Sequence, residues 1–152
     1  MHKITPFLWF DNNLEEAMDF YVTVFKNTKI GNVARAGENG PVISATFEIE
    51  GQEFKALNGG PQFKFNEAIS FFVNCENQEE VDELWQKLSD GGEERQCGWV
   101  QDKFGLFWQI IPTALGEMLG DPDPEKSKRA RDAMLQMHKI DIAALRRAYN
   151  QQ

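Results

Sequence analysis

Histidine is nearly missing from this chain: of 152 residues only His2 and His138 are histidine, at its two ends. A site built from several imidazoles therefore cannot be assembled in the central stretch, which removes the commonest ligands of catalytic zinc and its neighbours in the transition series. Cysteine is equally sparse. Cys75 and Cys97 are the whole complement, too few for a disulfide framework and without zinc-binding spacing, so both read as buried free thiols. Positive charge is short as well: 16 Lys+Arg against 24 Asp+Glu leave a net charge of −8. That balance argues against nucleic acid and against an anionic membrane surface, since both demand a basic patch. No apolar run approaches the ~20 residues needed to span a bilayer. Residues 1–10 pass into a strand pattern rather than a charged-then-apolar leader, so the chain is expected to be cytoplasmic.

What is present is aromatic and apolar. Twelve Phe, four Trp and a hydrophobic content of 41% supply a packed interior for one domain, or for two small similar halves. The most informative stretch is CGWVQDKFGLFWQIIP, residues 97–112. Two β-rich runs flank Asp102-Lys103-Phe104-Gly105, which predicts a hairpin. On its second strand Phe107, Gln109 and Ile111 share one face and Trp108 and Ile110 the other, because strand side chains alternate. Asp102 and Lys103 read as turn residues, with Asp102 bonding its own backbone. Trp99 and Trp108 read as core, the latter against a helix.

Earlier in the chain, residues 4–10 predict a strand, with Pro6 suited to a strand start. Asn13 followed by Glu16 predicts a helix cap and capping box. Leu14, Ala17, Met18, Tyr21, Val22 and Phe25 then repeat at helical spacing. Strands are expected over 29–36, 42–50 and 52–57. The order then recurs: a strand over 68–74, a cap at Asn77 with Glu80, and a helix striped by Val81, Leu84, Trp85 and Leu88. The pairs Asn13/Asn77, Glu16/Glu80, Tyr21/Trp85 and Val24/Leu88 are each 64 positions apart. The chain reads as α+β: two tandem βαβββ modules, about 4–58 and 67–112, forming a paired domain over 1–112, with a helical extension over 113–152. Within that extension, helices are expected over 125–137 and 141–149, the second capped by Asp141.

Together ITPFLWF…EEAMDFY, FNEAISFFV, EEVDELW, CGWVQDKFGLFWQIIP and MHKIDIAALRRAY resemble the vicinal-oxygen-chelate superfamily. This group includes glyoxalase I, extradiol dioxygenases and the bleomycin- and fosfomycin-resistance proteins. Within it the chain is most similar to the PhnB-like branch, often labelled 3-demethylubiquinone-9 3-methyltransferase. No strand here is followed by a glycine-rich loop and helix able to hold S-adenosylmethionine, so no cofactor is expected.

The resemblance implies curved mixed sheets, each a half-barrel, with metal ligands on the first and fourth strands of each module. Carried over singly, those positions fall on Thr5 or Pro6, on Ala56 or Asn58, on Ala68 and on Gln109. Such side chains cannot supply the imidazole or carboxylate donors a divalent ion needs, so no metal site is expected. The concave face would then be lined by Phe7 and Trp9 (or Leu8 and Phe10), Ser70, Phe72, Phe107, Gln109 and Ile111, with Asn58 as a further candidate. The same aromatics could instead simply fill the half-barrel. Expected partners are a small apolar or aromatic molecule and a second copy of the chain. Two alternatives stay open: a lyase, isomerase or dioxygenase holding a metal through atypical ligands, and a structural dimer with a filled pocket.

Overall fold

A computed structural model describes residues 2–151. The chain forms two compact units, the first ending at Phe65 and the second beginning at Asn66.

In the first unit, β1 (Phe7–Phe10) leads to α1 (Leu14–Val24), then β2 (Thr28–Arg35), β3 (Val42–Ile49) and β4 (Gln52–Asn58). The sheet order is β1-β4-β3-β2, with β1 parallel to β4 and the rest antiparallel. One face packs under α1. Leu14, Ala17, Met18, Tyr21 and Val24 of the helix are buried, as are Leu8, Phe10, Phe47, Phe54 and Ala56 of the strands. The Tyr21, Phe47 and Phe54 rings stack in series. The predicted Asn13 cap differs in detail: its side chain makes no capping bond. Asn58, at the end of β4, accepts from Leu14 N instead, at 3.0 Å. The orphan donors of a helix N-terminus need an acceptor, and a distant strand supplies it.

The second unit repeats this path with β5 (Phe71–Cys75), α2 (Gln78–Ser89), β6 (Glu93–Glu94), β7 (Trp99–Gln101) and β8 (Phe107–Pro112). Its order, β5-β8-β7-β6, has the same topology as the first sheet, and both sheets are open. Here the predicted cap holds: Asn77 Oδ1 accepts from Glu80 N at 2.9 Å. Val81, Leu84, Trp85 and Leu88 are buried, with Trp108 and Ile110 of β8. β5 begins at Phe71, so Ala68 and Ile69 precede it.

Three helices follow. The first, α3 (Thr113–Leu119), runs straight on from Pro112 and was not expected from sequence; α4 (Pro124–Met134) and α5 (Ile142–Tyr149) were. They belong to the second unit, where Ile111, Leu115, Met118, Ala130, Ile140 and Leu145 form one apolar cluster. Ile111, expected on the open face of β8, is covered by these helices. Among the described residues no helix is long and apolar enough to cross a membrane.

Cys75 is completely buried, and that burial, reinforced by the nearby Glu80 carboxylate, pushes its thiol up to about 12. The folded state thus favours the neutral thiol. This contributes stability in full below the ordinary thiol range and loses it as pH rises through about 12. At pH near 8, a thiol reagent should modify the half-exposed Cys97 on the native chain and reach Cys75 only after denaturation. Equal native rates at both thiols would refute the assignment.

Candidate functional site

Each sheet has a helix-covered face and an opposite one, and strand alternation decides which side chains occupy the second. In the first unit Phe7 and Trp9 stand there, opposite Lys55 and Leu57 of β4. Phe7 is 57% exposed. Trp9 is tied down: its indole N–H donates to Gly60 O at 3.0 Å, and Phe63 meets it edge-on at a centroid distance of 5.0 Å. A Cβ on Gly59 would lie 2.3 Å from the Trp9 ring, so glycine lets the chain pass beneath the indole.

Asn58 and Ala56 lie on the helix side, paired with Phe10 and Leu8. Besides capping α1, the Asn58 amide donates to Val42 O at 3.0 Å. Asn58 is therefore a structural acceptor and donor and does not share the face of Phe7 and Trp9. Glu53-Phe54-Lys55-Ala56 carried the warning, because its apolar residues mark the buried parity.

In the second unit Phe72 pairs with Gln109, and Gln109 pairs on its other side with Trp99 of β7. Ser70, just before β5, accepts a bond from Gln109 Nε2 at 2.9 Å. Ser70, Phe72, Phe107 and Gln109 thus come together on one face. The two polar groups expected to meet a ligand bond each other.

Beside them lies an open cleft of about 480 Å³, lined by Glu67, Glu94, Arg95, Gln96, Cys97, Trp99, Phe107 and His138. Phe107 alone among the predicted site residues lines it. The Arg95 guanidinium lies over the Phe107 ring, 5.2 Å from its centroid. It reaches Glu67 and Glu93, each at 3.2 Å, and Gln101 Oε1 at 3.3 Å. Its Nε is shielded from solvent, and the Glu93 contact is out of line for a hydrogen bond. Glu94 accepts from the Trp85 indole at 2.5 Å. Exposed ion pairs of this kind contribute at most about 1 kcal/mol each, so they orient side chains more than they stabilise the fold.

Trp99, expected in the core, is half-buried at the cleft. Its place opposite Gln109 in the hairpin was the sequence signal for it. His138 is brought in from the far end of the chain, and no local pattern announces it. Trp108 is core as expected, and its indole N–H is held by Asp102 at 2.9 Å.

The superfamily resemblance implies a divalent ion, and the residues present do not suit one. The positions facing away from the helices offer Phe7, Trp9, Lys55 and Leu57 in the first unit, and Ser70, Phe72, Phe107 and Gln109 in the second. Glu53, also on that side of β4, takes a bond from the Thr5 hydroxyl at 3.5 Å. Among the described residues no three His, Cys, Asp or Glu side chains cluster in a way that could hold a metal ion.

Comparison with known proteins agrees with the architecture. Residues 2–111 match the family described as 3-demethylubiquinone-9 3-methyltransferase. A solved structure described as a putative 3-demethylubiquinone-9 3-methyltransferase, PhnB protein, from Bacillus cereus is 37% identical. That match has a TM-score of 0.68 and covers 73% of this chain and 99% of that one. A Pseudomonas aeruginosa protein is 18% identical over 74% of this chain and 98% of its own, with a TM-score of 0.63. The fosfomycin resistance protein FosX from Listeria monocytogenes, solved with Mn(II) and sulfate, shares the fold at 15% identity and a TM-score of 0.52, covering 71% and 89%. No curated protein matches. The repeated βαβββ path, the hairpin at Asp102–Gly105 and these matches together make the chain a member of the PhnB-like, 3-demethylubiquinone-9 3-methyltransferase family.

Proposed function

We propose that this protein binds a small, flat, mostly apolar molecule in the cleft of its second unit without a metal ion. The observation that carries the proposal is Trp99, a large aromatic half-buried at the edge of an open cleft of about 480 Å³. That volume falls within the range of small-molecule sites, and the lining sets Trp99 and Phe107 among charged and polar side chains. Phe107 also lines the cleft, buried beneath the Arg95 guanidinium. The cleft's ligand-type side chains are Glu67, Glu94, Cys97 and His138, and among the described residues no three such groups cluster in a way that could hold a metal ion, which supports binding over metal-assisted chemistry.

The test is a titration of the whole chain with N-phenylnaphthylamine, a neutral planar probe that brightens in apolar surroundings. Saturable binding with one probe per chain is expected, weakened roughly tenfold by Trp99→Ala, or about 1.4 kcal/mol. Absence of saturable binding, or an affinity indifferent to Trp99→Ala, would overturn the proposal.

A further inference from the structure

The part of this chain that matches its family stops at residue 111, and the Bacillus cereus structure is nearly fully covered by 73% of this chain. The C-terminal extension is thus additional to the shared fold, yet one of its residues, His138, lines the cleft.

A short strap, residues 137–142, places it there. Cys97 and Gly98 have consecutive positive φ angles of 60° and 83°. Their N–H groups donate to Met137 O and His138 O, both at 2.8 Å. Farther along, the Gln78 amide grips the strap from both sides: Nε2 donates to Ile140 O at 2.9 Å and Oε1 accepts from Ile142 N at 2.8 Å. Lys139 pairs with Asp82 at 2.8 Å, which holds the Asp82 carboxyl below its usual range. Ile140 is fully buried in the apolar cluster of the extension. Two backbone–backbone hydrogen bonds, two more from the Gln78 side chain, an ion pair and a buried anchor hold His138 in position while leaving its side chain exposed.

The charge of the lining points to a ligand class. Glu67 and Glu94 outnumber Arg95, which already faces Glu67 and Glu93, and the whole chain carries −8. An anion entering the cleft meets net repulsion, whereas a flat cation can stack on Trp99 within reach of the carboxylates. Resting on the cleft reading above, we propose that the C-terminal strap is the specificity wall of the cleft, that His138 is its specificity-determining residue, and that the ligand is a planar aromatic cation.

The experiment titrates the full chain with proflavine, a planar aromatic cation, and with anilinonaphthalene sulfonate, a comparable anion, following probe fluorescence alongside thermal melting. The wild type should prefer proflavine by tenfold or more. His138→Ala should weaken proflavine at least threefold and narrow the preference without changing the melting temperature, because the side chain is exposed. Gln78→Ala, which loosens the strap from outside the cleft, should shift the preference in the same direction. His2→Ala should leave it unchanged. If both probes bind but neither His138→Ala nor Gln78→Ala alters their ratio, the strap assignment is wrong and the cleft stands. A tighter anion overturns the ligand class alone. If no planar probe binds, the cleft reading falls and the strap assignment with it.

Discussion

Asp102→Ala is expected to lower unfolding free energy by about 3–5 kcal/mol, the cost of stranding several buried donors at once. Asp102 is 2% exposed. One carboxylate oxygen accepts from Phe104 N at 2.9 Å and Leu106 N at 3.1 Å, while the other accepts from the Trp108 indole at 2.9 Å. The backbone of the same turn closes through Asp102 N to Leu106 O at 2.8 Å and Gly105 N to Asp102 O at 2.9 Å. A single side chain therefore sets the turn and also ties it to the core face of β8. For a chain of this length the loss corresponds to a fall in melting temperature of roughly 10 °C. Asp102→Asn should fall between, because its amide oxygen can still serve the turn while its NH2 confronts the indole N–H. An alanine variant melting with the wild type would show that the turn holds without the carboxylate.

Gly98→Val should follow closely, at about 3 kcal/mol. A β-branched residue at a φ of 83° carries on the order of 1–2 kcal/mol of backbone strain. A Cβ there would also lie 2.8 Å from Ile111 Cδ1 and 3.1 Å from both Ile110 O and Ile140 Cγ1, and such overpacking typically costs about 1–3 kcal/mol. Gly37→Val is the control. Its φ of 80° is nearly the same, but nothing lies within 4 Å of the added Cβ, so only the strain remains. Equal losses in denaturant unfolding would mean that the close approach of Ile111 and Ile140 contributes nothing.

Much of the fold was legible because it is local. The buried stripes through Tyr21 and Trp85 follow from helical spacing, and the Asn77 cap from its distance to Glu80. Burial at Trp108 and Ile110, with Phe107 and Gln109 on the other face, follows from strand alternation. The strand starts at Thr28, Val42 and Gln52 each fall within a residue of expectation. The errors are of another kind. Asn13 looked like the cap of α1, but the capping acceptor is Asn58, and that choice depends on where β4 ends beside β1. Ala56 and Asn58 share the helix-side parity of Phe54, opposite to that of Glu53 and Lys55, and the family resemblance does not carry that alternation. Ile111 has the open-face parity and is nevertheless buried, because α3 and α5 cover the end of the strand.

By itself the amino-acid order determined the two-fold repeat and the scarcity of imidazole and thiol ligands, since both depend only on which residue types stand at which spacing. Tertiary structure alone decided that Arg95, Trp99 and His138 share a cleft. His138 is brought to the cleft by backbone pairing with Gly98 and by the burial of Ile140, and pairing between distant segments leaves no periodic trace in either of them.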